Sequence, residues 1–137
     1  MPSVKVSELF KELSDWYDLY ALFHDYKLFG DLPDIFGRDE GLDLKDIHHI
    51  HLARTAKLQA VWSQQPNKFR RVIPRSEPEN DYWLIYAYDD LQDEYLLLTI
   101  IGPEAHRREE WAAFLRTILV EIVEPWIVGR VSYPEID

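Results

Sequence analysis

The sequence predicts an α+β fold: a small twisted antiparallel sheet packed against helices, in a single domain over residues 1–137. Three observations predict it. The aromatic and β-branched runs 82–88 and 95–101 flank a polar turn, as the arms of a hairpin do. A stretch near each end repeats apolar side chains every three or four residues, as helices with one buried face do. With 137 residues, 47% of them apolar and 14% aromatic, the chain is long enough to bury a core.

Taken in order, Leu9, Phe10, Leu13, Trp16, Tyr17, Tyr20, Phe23 and Tyr26 place a helix at about 7–29, stopped by Gly30. A loop over 31–39 follows, rich in turn residues yet holding Ile35 and Phe36. Residues 47–53 read as a short strand, with His49 and His51 on one face and Ile50 and Leu52 on the other. Segment 55–76 is irregular, interrupted by Pro66 and Pro74, with room for a short helix around 57–62. Strands 82–88 and 95–101 complete a sheet spanning about 47–101, and the second, apolar on both faces, belongs in its interior. Gly102 ends that strand, and Pro103 suits the first turn of a helix over about 103–124. Its stripe runs through Trp111, Phe114, Leu115, Ile118, Leu119, Ile122 and Val123. Pro125 ends it, leaving a tail over 125–137. This order sets helices on one face of the sheet and leaves the other free for a site.

Charge is unevenly spread. Segment 47–76 carries no carboxylate, six cations (Arg54, Lys57, Lys68, Arg70, Arg71, Arg75) and three of the five histidines. The rest holds nine cations against all 25 acidic residues. A local basic segment with aromatics beside it suits phosphate contact and base stacking. The net charge of −10 argues against an indiscriminate nucleic-acid binder. With no cysteine, disulfides, thiolate zinc sites and cysteine nucleophiles are excluded. No apolar run is long enough to span a bilayer, and residues 1–5 lack a secretory apolar region, so a soluble cytoplasmic protein without membrane contact is expected.

Two imidazoles at alternate strand positions can address opposite sides of one phosphodiester, one removing a proton and the other donating one. Metal-free RNA cleavage needs that pair together with cations for the phosphorane charge. His106 and Arg107, in the segment that opens the last helix, supply a further imidazole and guanidinium. A second reading uses His49 and His51 as metal ligands with help from His24, His48 or His106, and a third gives the histidines no role.

The motifs Leu32-Pro33-Asp34-Ile35-Phe36-Gly37-Arg38-Asp39, His49-Ile50-His51-Leu52-Ala53, Tyr82-Trp83-Leu84-Ile85-Tyr86 and Pro103-Glu104-Ala105-His106-Arg107 occur in the order seen in the YafO family. The chain thus resembles a family of bacterial type II toxins from about Leu28 to the last helix. The resemblance implies a ribosome-associated mRNA interferase of the RelE/ParE type, acting without metal or cofactor. It implies mRNA, the ribosome and a cognate antitoxin as partners, in a homodimer or a toxin–antitoxin hetero-oligomer. His49, His51, His106 and Arg107 then stand where catalytic side chains are expected, and Arg54, Lys57, Lys68, Arg70, Arg71 and Arg75 where RNA contacts are. Asp34, Arg38 and Asp39 belong to the most specific motif, as loop braces or as functional groups. Only Val4-Lys5-Val6 is available for the leading strand usual in RelE-like chains. The superfamily also contains ParE-like toxins that poison a protein such as gyrase without cutting RNA, and that alternative stays open.

Overall fold

The computed structural model describes residues 2–136, apart from the side chain of Arg108. Five strands form one sheet in the order β1-β5-β4-β3-β2, comprising β1 (Ser3–Val6), β2 (Phe36–Gly41), β3 (Ile47–Leu52), β4 (Tyr82–Asp89) and β5 (Glu94–Ile101). β1 runs parallel to β5, and the other pairs are antiparallel. The helices are α1 (Trp16–Phe29), α2 (Ala56–Ser63) and α3 (Arg108–Ile118), the last continued by π-helical Leu119–Val123 and a final turn, α4 (Glu124–Ile127). The α+β class is as the sequence predicts, and β5 is an interior strand.

Four expectations need correction. The first helix begins at Trp16 rather than near residue 7. Ser7 still donates its N–H to Leu97 as an extension of β1, and its Oγ accepts from Phe10 N–H to start a 3-10 turn. Leu13, extended at ψ 134°, then breaks the run before α1. The loop over 31–39 is strand from Phe36 onward. Its glycine reads as a turn signal, yet Gly37 is there for another reason: a Cβ would lie 2.8 Å from the Trp62 ring of α2.

The last helix starts at Arg108, because Pro103 lies in a tight turn through Gly102 and Glu104, both at positive φ. It also runs past Pro125 to Ile127, since the wider π turn ahead leaves room for the proline ring. Gly129, at φ +81°, ends it.

The fourth correction concerns the faces. Both are covered. Leu19, Phe23 and Tyr26 of α1 pack on Ile50, Leu52, Leu84, Tyr86 and Leu97. Leu115, Ile118, Val123 and Trp126 pack on Ile47, Ile85, Ala87, Leu96 and Leu98 across the sheet. α3 and α4 leave a cleft on their face at the end of β3, where His51 lies, with His49 buried beside it. A small third cluster, Ala53, Leu58 and Trp62, seats α2 at the sheet edge, and Thr55 Oγ1 caps that helix by accepting from Leu58 N–H at 3.1 Å.

Candidate functional site

Strand alternation sends Ile47, His49 and His51 to the α3 side and His48, Ile50 and Leu52 to the α1 side, as the sequence predicts. The rings of His49 and His51 lie 5.2 Å apart. Trp83, opposite His51 on β4, packs its indole 4.2 Å from His49 and 5.5 Å from His51. His106 completes the group at 5.4 Å from His51 and 4.8 Å from Trp83.

The turn after β5 delivers His106. Gly102 has no room for a side chain, since a Cβ would meet Tyr82 at 2.5 Å and the Asp81 carbonyl at 2.8 Å. Three successive N–H groups then dock the turn on 78–81: Glu104 to Pro78 O, Ala105 to Asp81 O, and His106 to Asp81 Oδ2 at 2.9 Å. The same Oδ2 lies 2.5 Å from His106 Nδ1. A buried carboxylate thus orients a largely exposed imidazole, leaving Nε2 as its available nitrogen.

A cleft of about 710 Å³ opens in front of this group, lined among others by Arg38, His51, Arg75, Asp81 and His106. Burial, reinforced by His49 and His106, pulls the His51 pKa down to about 4. Its imidazole is therefore a neutral proton acceptor at physiological pH. Burial also lowers His49, against the pull of the Glu40 backbone. The buried side-chain atoms lacking a hydrogen-bond partner among the described residues are His49 Nδ1, Asp81 Oδ1 and Trp83 Nε1. All belong to this cluster, and unsatisfied buried polar atoms concentrated at one place point to function.

Of the remaining candidates, Arg38, Arg71 and Arg75 border the cleft and the others lie elsewhere. Arg107 turns outward, 2.9 Å from Glu110 and 3.5 Å from Glu104. Arg71 is buried and holds loops together, donating to the carbonyls of Gln65, Pro33 and Phe36 at 2.6–2.8 Å, so its guanidinium is not free for RNA. Arg54 pairs with Asp15 at 3.2 Å. Lys57, Arg70 and Arg75 are exposed and make no ion pair among the described residues, in a chain rich in carboxylates. Lys68 donates to Tyr26 Oη at 2.6 Å.

Asp34 sits in an exposed turn. Asp39 is part of β2 and not a loop brace. Its carboxylate accepts from Tyr86 Oη at 2.6 Å, and from Tyr26 Oη and Lys27 Nζ at 2.7 Å, on the α1 side of the sheet. Burial raises the Asp39 pKa, but Lys27 and the two hydroxyls outweigh it and hold the carboxyl below its usual range. His48 stacks on Tyr86 in this second cluster, and His24 pairs with Asp25 on α1, so neither joins His49 and His51. Among the described residues no group of three or more His, Asp or Glu side chains is placed to hold a metal ion. No described helix is long and apolar enough to cross a membrane.

Sequence reasoning missed Asp81 and the placement of Arg38. An acidic residue directly ahead of an apolar strand was the available signal for Asp81. Nothing local ties it to His106, 25 positions away.

A family model described as toxin YafO, of the type II toxin–antitoxin system, matches residues 24–127. That span holds every residue of the histidine cluster and its cleft. No curated protein and no solved structure matches the chain.

Proposed function

The chain belongs to the YafO family of type II toxins, and from that premise we propose that it is a ribosome-associated endoribonuclease that cuts mRNA without a metal. The observation that carries the reading is the convergence of His51 and the Asp81–His106 pair on one cleft from three separate parts of the chain, with buried His49 packed against His51. Neutral His51, backed by His49, takes the proton of an RNA 2′-hydroxyl as that oxygen attacks the adjacent phosphorus. The P–O5′ bond breaks as His106 Nε2 delivers a proton to the departing oxygen. The products are a 2′,3′-cyclic phosphate and a 5′-hydroxyl. Asp81 positions the acid, and Trp83 holds the three rings in register. The charge-stabilising role expected of Arg107 passes in this reading to Arg38 and Arg75, which line the cleft.

The unpaired cations Lys57 and Arg70, with Arg54 and Lys68, give the strand an electrostatic track on an otherwise acidic molecule. A type II toxin has a cognate antitoxin. Here an acidic and apolar antitoxin segment laid over the cleft would silence the enzyme.

The test is primer extension on a reporter mRNA with purified protein, with and without ribosomes, and with EDTA in the ribosome-free tube. Discrete cuts that need ribosomes, and disappear in His49→Ala/His51→Ala, are expected. Full growth arrest by a folded double variant would sink the assignment. Arrest by the native protein with no cuts in any tube would instead favour the ParE-like binder.

A further inference from the structure

The histidine cleft has a neighbour. Beyond the 66–70 segment lies a second hollow of about 550 Å³, lined among others by Tyr26, Lys27, Pro66, Asn67, Lys68 and Phe69. Phe69 presents its ring at 47% exposure and belongs to none of the buried clusters. Its presentation is built in, because Asn67 Oδ1 accepts from Phe69 N–H at 3.0 Å and fixes the 3-10 turn that carries it.

Lys68 Nζ stands 5.4 Å from the Phe69 ring, 4.9 Å from the Tyr26 ring and 2.6 Å from Tyr26 Oη. It makes no ion pair among the described residues, whereas Lys27 behind it is committed to Asp39 at 2.7 Å. An exposed ring beside a positioned, unpaired ammonium offers a base a stacking surface and a phosphate a counter-charge. Arg38 joins the two hollows: it lines the histidine cleft and donates from Nη2 to the Phe69 carbonyl at 3.2 Å.

We propose that this second hollow is a subsite for a nucleotide flanking the scissile bond, its base stacked on Phe69 and its phosphate held by Lys68. The proposal rests on the ribonuclease reading above and names the part of the substrate that reading leaves unplaced. A single-stranded RNA leaving the histidine cleft passes Arg38 and reaches Phe69 next. Base stacking of this kind tolerates any sequence, since every base has a π-face.

The experiment is fluorescence anisotropy with a fully 2′-O-methylated RNA of about seven nucleotides, which binds but has no hydroxyl to attack. Phe69→Ala should weaken binding about 5- to 100-fold, and Phe69→Trp should keep it. Lys68→Gln should weaken binding and reduce the slope of log affinity against log salt by about 0.7. Far-UV circular dichroism of Phe69→Ala should match the native spectrum, because the ring lies outside the core. Native affinity in a folded Phe69→Ala, or no binding by the native protein, overturns the subsite. Primer extension on ribosomes separates the two levels. Native cutting with an unimpaired Phe69→Ala removes the subsite and leaves the ribonuclease, whereas no native cutting removes both.

Discussion

The two faces of the sheet each carry a polar cluster, and the clusters are built on opposite terms. Under α1, Asp39 is fully engaged, accepting from Tyr26, Tyr86 and Lys27, and no buried side-chain atom of that group lacks a partner. The Lys27 ammonium also sits 4.8–5.9 Å from the centroids of four aromatic rings, Phe23, Tyr26, Tyr86 and Tyr95. On the α3 side, His49, Asp81 and Trp83 each keep a buried polar atom unsatisfied. A complete buried network fixes one arrangement of the chain, while an incomplete one costs stability and persists where a reacting group will complete it. Charge and burial alone would rank the Asp39 cluster as the active site. Satisfaction ranks them the other way.

Substitutions can break that contrast, beginning with the largest effect. His51→Ala should slow cleavage about 100- to 10,000-fold, the range of a lost general base, with the urea midpoint nearly unmoved. An inactive variant that is also unfolded would erase the distinction between the faces. Asp39→Ala should do the reverse, costing about 3–5 kcal/mol in urea unfolding because Lys27 is left charged and buried. Adding Lys27→Met should recover much of that loss, and failure to recover it would mean the carboxylate has some other task.

Asp81→Asn should lower the cleavage rate about tenfold or more through a misaligned His106, at unchanged RNA affinity. An equal change in affinity and rate would assign Asp81 to binding instead. The smallest effect is on pH. His48, His49 and His51 are all depressed in the folded protein, so the unfolded chain binds more protons below the ordinary histidine pKa near 6.5. Stability should therefore be complete above that pH and fall as pH drops toward about 4, where His51 itself protonates in the fold. For His51 the slope is on the order of 1 kcal/mol per pH unit between those two values. His51→Asn should show a shallower decline in urea midpoints between pH 7 and 5, and an unchanged slope would refute the burial of a neutral ring.

What could be read from the chain follows the range of the interactions. Alternation on β3 is a property of adjacent residues, so the shared face of His49 and His51 was legible, as were the hairpin strands and the stripe of the last helix, except for Phe114, which is exposed. Asp39 was not, because glycine and proline give 31–39 the look of a loop, while Gly37 answers to Trp62, 25 positions later. The partnership of Asp81 and His106 depends on a turn whose backbone no local preference announces: Pro103 reads as a helix start, and Glu104 takes φ +59° without being glycine. Cations counted from composition proved unequal for a similar reason. Arg71 answers to the carbonyls of Pro33 and Phe36, 38 and 35 positions away, and composition carries no sign of that.

The leading strand has a consequence for how the toxin is made. β1 is translated long before its parallel partner, which begins at Glu94, and even the Ser3 hydroxyl bonds to a residue 91 positions downstream. Lys5 in the same strand holds the Tyr133 carbonyl and the Glu135 carboxylate near the far end of the chain. Contacts of such span close late, after the entropy of a long loop has been overcome. A nascent chain therefore keeps this sheet edge incomplete until Glu94 and the segment around Tyr133 have been made, so a toxin of this family assembles its leading strand late in its own synthesis.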